Sequence, residues 1–325
     1  MSVPFLLRTW RLYGAAFVSL TFWLGCTTAP VACPLTPPSK TDLPTRGISA
    51  HQGGMLGCPA NTIGAFKRAI CRGVHQIELD VRATADGVIV VAHDDQVSGS
   101  RETISISEAT YNQIKDLDLP SCQGSGDGQH IPTLDQVLAI MPQNIWINMD
   151  IKKNDSHVGQ LVAEIVAKTH RFDQVIFAAR DKAAPAIRLE AKEARQNSLI
   201  VNMNRELFRF QYVDATINSC AEFIQLVNVP YVPFVRGKPS HDTMAQLQKA
   251  GVRVNYSWLR ERDEGDLKIE IQDLFNRGVD FVLVDHVEQG MKAAEILGVP
   301  PLVPRWNRAS LQTDEPSFHC PATDQ

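Results

Sequence analysis

The sequence predicts a (β/α)8 TIM barrel, an α/β fold, and three observations carry that prediction. Eight short apolar runs recur at 47–51, 75–81, 145–151, 174–179, 198–202, 223–228, 252–256 and 280–284. Helical stretches alternate with them, as a parallel sheet built from βα units requires. Histidines or acids stand where several of the runs end, the face on which such a barrel carries its chemistry. A chain of 325 residues has room for one barrel of this kind with a leader and a tail. Its net charge of −4 leaves no basic footprint, which argues against a nucleic-acid partner.

The N-terminus comes first. Arg8 and Arg11 flank the start of an apolar stretch, Leu12–Gly25, that is too short to span a bilayer comfortably. This is the layout of a secretory signal over residues 1–26. Cys26 follows Trp23-Leu24-Gly25, which resembles a bacterial lipoprotein signal. The expectation is an exported protein, periplasmic, held in the cell envelope through a lipidated Cys26, or secreted. Residues 27–46 are rich in Pro and Thr and read as a tether. If Cys26 takes lipid, six cysteines remain, an even number that permits disulfides in an exported chain. Cys58–Cys71, bracketing one helix, and Cys33–Cys320, tying the termini, are the pairings expected.

The barrel is expected over 47–299. After the first run, Thr62–Arg72 reads as a helix and leads into the second run, whose Glu78 and Asp80 share one strand face at i and i+2. The run Val88–His93 is surplus. It follows Val81 by six residues across an Asp86-Gly87 turn, too short for a parallel crossover, so it is expected as a rim hairpin after the second strand. Ser121–Gly128 is a Gly/Ser-rich loop. Further helices are expected at Leu134–Met141, His157–Lys168, Ala184–Ala194, His241–Ala250 and Ile269–Arg277, and residues 300–325 as a Pro-rich tail around the barrel.

Glu78 and Asp80 admit two readings: ligands of a hard divalent cation, or a barrel-interior pair neutralised by Lys or Arg. Asp150, ending the strand Ile145–Met149, is a natural third ligand. Lys152, two residues on, shares its face and can meet a phosphate oxygen or a carboxylate. His51 and His93 are the candidate proton shuttles, since imidazole titrates near neutral pH. Asp94 and Asp95 can orient His93, cap the next turn, or do neither. The other histidines, His75 among them, have no such company.

These residues sit in motifs that resemble the glycerophosphodiester phosphodiesterase family. Its His-Arg-Gly, Pro-Glu-Asn-Thr, Glu-Leu-Asp-Val, Thr-x-Asp-Gly and His-Asp appear here as His51-Gln52-Gly53, Pro59-Ala60-Asn61-Thr62, Glu78-Leu79-Asp80-Val81, Thr84-Ala85-Asp86-Gly87 and His93-Asp94. Asp150-Ile151-Lys152 stands where the family has Glu-x-Lys, and Gly278-Val279-Asp280 through Asp285 resembles its final barrel strand. The similarity is dense from about 47 to 152 and thin from 153 to 275.

The resemblance implies metal-dependent hydrolysis of a small-molecule or lipid-derived glycerophosphodiester to glycerol phosphate and an alcohol. In that reading His51 and His93 are acid and base. Glu78, Asp80 and Asp150 hold Ca²⁺ or Mg²⁺, Lys152 assists at the phosphate, and Gln52 and Trp258 fall at substrate-binding positions. Three departures accompany it. Gln52 replaces an arginine, Ala60 replaces a glutamate, and Trp258, in Asn255-Tyr256-Ser257-Trp258, lies one position away from the family's late Trp-Thr. They leave two alternatives open: a sphingomyelinase D/phospholipase D-type enzyme forming a cyclic phosphate, and an inactive barrel serving as an envelope-binding protein. Oligomeric state is open on the sequence.

Overall fold

The structure, a computed structural model, describes residues 43–54, 57–99, 102–124, 128–179, 182–193, 199–202, 223–227, 240–257 and 264–306. Cys26, the leader, most of the tether, the Cys33–Cys320 pair and Trp258 lie outside these residues.

In chain order the elements begin with β1 (Gly47–Ala50), a 3-10 turn (His51–Gly53), α1 (Ile63–Cys71), β2 (Gln76–Ala83) and β3 (Ile89–Val91). A small insertion follows, with β4 (Gln96–Ser98), β5 (Thr103–Ser105) and α2 (Tyr111–Ile114). Then come α3 (Leu134–Ile140), β6 (Trp146–Ile151), α4 (Ser156–Lys168), β7 (Val175–Ala179), α5 (Ala183–Glu193), β8 (Leu199–Asn202) and β9 (Phe223–Val227). The chain continues through α6 (His241–Lys249), β10 (Arg253–Ser257), α7 (Glu264–Arg277), β11 (Phe281–Val284) and α8 (Val287–Ile296).

Eight strands run parallel in the hydrogen-bonded order β8-β7-β6-β2-β1-β11-β10-β9. The end strands β8 and β9 lie beside each other, so the sheet curls into a near-closed ring, the predicted barrel. The surplus run forms β3, antiparallel to β2, as the Asp86-Gly87 turn required. Side chains alternate across each strand. The outward set, such as Ile48, Ile77, Leu79, Ile147, Phe177, Val254 and Val282, packs with the helices into the main core. The inward set is different. Trp146, Ile176, Phe223 and Phe281 form a separate apolar plug at the N-terminal ends of the strands. Polar side chains share these inward faces, among them Gln76, Asn148 and Asn255, all buried.

Helix starts are fixed locally. Thr62 accepts from Ala65 N at 3.3 Å to cap α1, Thr133 and Gln136 form a capping box on α3, and Asp155 accepts from His157 N and Val158 N to cap α4. α7 begins five residues before its expected start at Ile269, because Glu264-Gly265-Asp266 carry no apolar signal. α8 was not anticipated. Only Val287 and Met291 give its buried face bulk; Gly290, Ala293 and Ala294 complete it and leave a weak helical stripe.

The expected Cys58–Cys71 bond is overturned: Cys58 pairs with Cys122, and Cys71 is disulfide-bonded elsewhere. The nine residues of α1 separate the two ends. Cys71 closes the far end of α1, about 13 Å of helix from its start, while Cys58 lies before that start, where it meets Cys122. The Cys58–Cys122 bond instead fastens the loop before α1 to the insertion, whose own small core contains Ile106, Ile114, Leu117 and Ile131. Among the described residues no helix is long and apolar enough to cross a membrane.

Candidate active site

The site is built where β1, β2, β6 and β11, adjacent in the sheet, reach their C-terminal ends. β2 and β6 are in register, with Asp80 opposite Asp150. Period-2 alternation then sends Glu78, Asp80 and Asp150 to the same interior face, and each can supply an oxygen within 4.8 Å of the others. β1 ends directly into the 3-10 turn, which delivers His51 and Gln52 over this face. Gln52 takes φ 52°, a left-handed conformation, and Gly53 and Gly54 follow at φ 82° and 91°. This tight reversal aims Gln52 N at Glu78 Oε2, 3.0 Å away.

Asp80 is the hub. Gln52 Nε2 and Asn61 Nδ2 both donate to its Oδ2, at 2.7 and 2.8 Å, and its own backbone N donates to Asn61 Oδ1 at 3.2 Å. Its Oδ1 faces Lys152 Nζ at 2.8 Å, and the same ammonium reaches Asp150 Oδ2 at 2.7 Å. Burial, with the charges of Asp80 and Asp150 added, pushes the Glu78 carboxyl well above the usual carboxylate range, against the opposing Gln52 N–H and Lys152. Burial also disfavours a charged Asp80, yet the Lys152 ammonium and the bonds from Lys152 and Asn61 hold its carboxyl below that range. Burial likewise works against a charged Lys152, and the two aspartates outweigh it and raise its pKa.

Three carboxylates so close repel one another, and a single ammonium only partly offsets that. Their all-oxygen donor set suits a hard divalent cation such as Mg²⁺ or Ca²⁺, so the residues present fit a metal of that class. Both sequence readings therefore meet here: the cluster has metal-ligand character, and Lys152 pairs with two of its members.

The two histidines are held differently. His51 Nδ1 lies 2.6 Å from Asp285 Oδ1, at the end of β11, which leaves Nε2 as the nitrogen available for proton transfer. His93 Nδ1 lies 2.9 Å from Asp94 Oδ1 on an exposed rim. Arg82 donates from Nε and Nη2 to the His93 carbonyl at 2.9 and 2.7 Å, fixing that segment of backbone. Asp95 does the second of the things the sequence allowed. It caps the turn around Ser105 and Ser107, accepting from both hydroxyls and from Ser107 N. A cleft of about 480 Å³ opens between His51 and His93, bordered by Gln52, Asn61 and the insertion.

The structure thus gathers His51, Gln52, Glu78, Asp80, Asp150 and Lys152 around one centre, with His93 on the cleft beside it. Gln52 also borders the cleft, although its amide N–H is engaged on Asp80. Two residues escaped the sequence reading. Asp285 follows the apolar strand Phe281–Val284 just as Asp150 follows Ile145–Met149, so the strand-end rule that found one applied equally to the other. Asn61 sits at φ 59° immediately before the Thr62 cap, a turn position with no periodic signal of its own.

Fold and site together define an α/β barrel with an acidic centre at its strand C-termini, whose oxygen donors fit a hard cation, and two histidines beside it. Residues 51–289 match the Glycerophosphoryl diester phosphodiesterase family, and the chain belongs to that family. It is 38% identical over 108 residues to a glycerophosphodiester phosphodiesterase of Caldanaerobacter subterraneus, a match covering 32% of this chain and 44% of that one. It is 33% identical over 135 residues to a lysophospholipase D of Rattus norvegicus, covering 39% and 42%. The chain therefore spans less than half the length of either relative. Among solved structures, a glycerophosphoryl diester phosphodiesterase from Parabacteroides distasonis superposes with a TM-score of 0.61 at 19% identity, covering 81% of this chain and 90% of that one. A phosphodiesterase of Oleispira antarctica, in complex with the product sn-glycerol-3-phosphate, gives 0.59 at 18% identity, covering 77% and 96%.

Proposed function

We propose that the protein is a metal-dependent glycerophosphodiester phosphodiesterase that releases glycerol phosphate and an alcohol. The observation that carries this reading is the convergence of Glu78, Asp80 and Asp150 to within 4.8 Å beside a cleft bordered by His51 and His93. Membership of the family supports it, as do the product named for the Oleispira neighbour and the activity named for the Caldanaerobacter relative.

In this reading Glu78, Asp80 and Asp150 hold a divalent cation, Mg²⁺ or Ca²⁺. When bound, the ion stabilises negative charge on the phosphoryl oxygens. Lys152, already 2.7–2.8 Å from two of the carboxylates, adds a positive charge at the same place. One imidazole removes a proton from the attacking water and the other gives a proton to the leaving alkoxide. Asp285 keeps Nδ1 of His51 protonated and its Nε2 turned to the reaction, and stabilises the imidazolium when that nitrogen takes a proton. We place the activity outside the cytoplasm, on the strength of the leader-like segment before Cys26. Loss of fatty-acid labelling in Cys26→Ser cells is the result expected of a lipid anchor, and labelling that persists refutes it.

The test is phosphorus NMR of the purified protein with glycerophosphocholine, with and without chelator. Release of glycerol phosphate that stops on chelation and returns with added Mg²⁺ or Ca²⁺ is expected. A cyclic phosphate as end product moves the chain to the phospholipase D-type branch, and metal binding without turnover identifies an inactive barrel.

A further inference from the structure

The bore of the barrel changes character along its axis. At the strand N-termini Trp146, Ile176, Phe223 and Phe281 close it with apolar side chains, and the Arg253 guanidinium lies 5.3 Å from the ring centres of both Trp146 and Phe223. At the C-termini stand Glu78, Asp80 and Asp150. The same inward faces carry Ser49, Gln76 and Asn255, which alternate with the outward core residues Ile48, Ile77 and Val254. A barrel layer climbs about one residue per strand around the ring. From Ser49 that step leads to Asn148 on one side and Asn255 on the other. On β6 this layer falls between Trp146 of the plug and Asp150 of the acidic centre. Gln76 is the register partner of Ser49 and precedes Glu78 by two residues on one strand face.

These side chains are sealed in and unpaired. Ser49 and Gln76 are 0% exposed and Asn255 is 1% exposed. Both polar atoms of the Gln76 amide, both of the Asn255 amide and the Ser49 hydroxyl have no hydrogen-bond partner among the described residues. Groups of this kind are costly to bury unless something bonds to them. The chemistry of the set selects its partner. A cation satisfies only the oxygens, and an anion only the N–H and O–H groups. Water both donates and accepts, and a buried water makes about three hydrogen bonds, so about two waters serve the set.

We propose that a small cluster of buried waters, held by Ser49, Gln76 and Asn255, lies inside the barrel between the apolar plug and the acidic centre and hydrates the carboxylates from within. Glu78 is the carboxylate it reaches first, because Gln76 is its neighbour on the same strand face; from the other side Glu78 Oε2 accepts from Gln52 N. Three carboxylates beside one ammonium are better supported by dipoles that can turn toward them than by an apolar wall. The support of the carboxylates as ligands rests on the metal-dependent reading above; the water cluster does not.

The experiment is oxygen-17 magnetic relaxation dispersion on the full-length protein, which counts waters held longer than the protein takes to tumble. The wild type is expected to hold about two more such waters than the Gln76→Leu/Asn255→Leu double variant. Equal counts overturn the cluster. Should the leucines unfold the barrel, a crystal structure of the wild type decides the same question. Water density within hydrogen-bond distance of Gln76 and Asn255 supports the cluster, and amides bonded to protein groups without such density overturn it. Calorimetric titration with Mg²⁺ and Ca²⁺ tests the role. The double variant should bind the cation about tenfold more weakly, the low end for groups that support a metal ligand. Lost waters with unchanged affinity overturn the support of the carboxylates and keep the cluster. A wild type that binds neither cation overturns the metal reading and leaves the water count standing.

Discussion

The two ends of this barrel each hold a histidine that ties distant parts of the chain together, and the partners decide what each histidine can do. At the C-terminal end His51 meets a carboxylate, Asp285, at 2.6 Å and borders an open cleft. At the N-terminal end His75 is buried. Its Nδ1 accepts from Ile48 N at 3.2 Å, its Nε2 lies 3.1 Å from Pro300 O, and a Cβ at Gly47 would overlap its ring. The carboxylate partner occupies Nδ1 of His51 and leaves Nε2 facing the cleft side of the ring. Two backbone partners spend one nitrogen as acceptor and one as donor, which fits only the neutral ring. The same side chain is therefore the proposed proton carrier at one end and a rivet at the other.

The largest expected effect falls on the C-terminal end. His51→Ala and His93→Ala should each lower kcat/KM by about 10²–10⁴-fold, the usual worth of general acid–base catalysis, with a change in unfolding free energy of about 1 kcal/mol or less at exposed His93 and about 1–2 kcal/mol at half-buried His51, which gives up its bond to Asp285. Asp285→Asn keeps the shape but removes the charge, and should cost less than the loss of His51 itself. Near-wild-type turnover in either histidine variant, measured beside urea unfolding, removes that residue from the acid–base pair.

The same contrast explains how much the sequence disclosed. The staves of the barrel and most of its helices were legible because strands buried on both faces are continuous apolar runs and helices have a period. Glu78, Asp80 and Asp150 were legible because an acid on an apolar strand is costly to bury and so stands out. Asp285 obeys that rule but lacked a neighbouring acid to draw attention to its strand end. Asn61 was invisible for a different reason: a turn asparagine is common, and only the fold brings it back onto Asp80, 19 residues away. The disulfide partner of Cys58 is 64 residues away on an insertion whose path no periodicity records. The rivet role of His75 was equally hidden, because its acceptor, Pro300, is 225 residues further on.

An intermediate effect is expected at the rivet. Burial lowers the His75 pKa from 6.5 to about 4, while the Pro300 carbonyl opposes the shift, and no charged side chain takes part. The unfolded chain takes up a proton here below about pH 6.5 and the folded chain does so only near pH 4. The stabilising contribution is therefore complete above pH 6.5 and is lost as pH falls through this window, by about 2–3 kcal/mol at pH 4.5. His75→Gln keeps an acceptor for Ile48 and a donor for Pro300 but cannot titrate. Urea unfolding at pH 7 and pH 4.5 should show a smaller pH loss in His75→Gln than in the wild type by that amount. An identical loss in both means His75 is not the group responsible.

The smallest effect separates two asparagines that make the same pair of hydrogen bonds at opposite ends. Asn61 donates to Asp80 Oδ2 at 2.8 Å and accepts from Asp80 N at 3.2 Å; Asn144 donates to Val303 O at 2.9 Å and accepts from Arg305 N at 2.8 Å. One grips a proposed metal ligand, the other the backbone of the segment that crosses the barrel floor. Removing a group that orients a ligand typically costs 10–100-fold in metal affinity. Gln52 Nε2 still holds Asp80 Oδ2 at 2.7 Å, so Asn61→Ala should fall at the low end, about tenfold, or ~1.4 kcal/mol. Asn144→Ala should leave metal affinity alone and cost about 1–2 kcal/mol of stability, because Val303 O and Arg305 N lose their partner. Calorimetric metal titration beside urea unfolding gives both numbers for both variants. If Asn144→Ala weakens metal binding as much as Asn61→Ala does, the two ends of the barrel are coupled, and the division of labour between them fails.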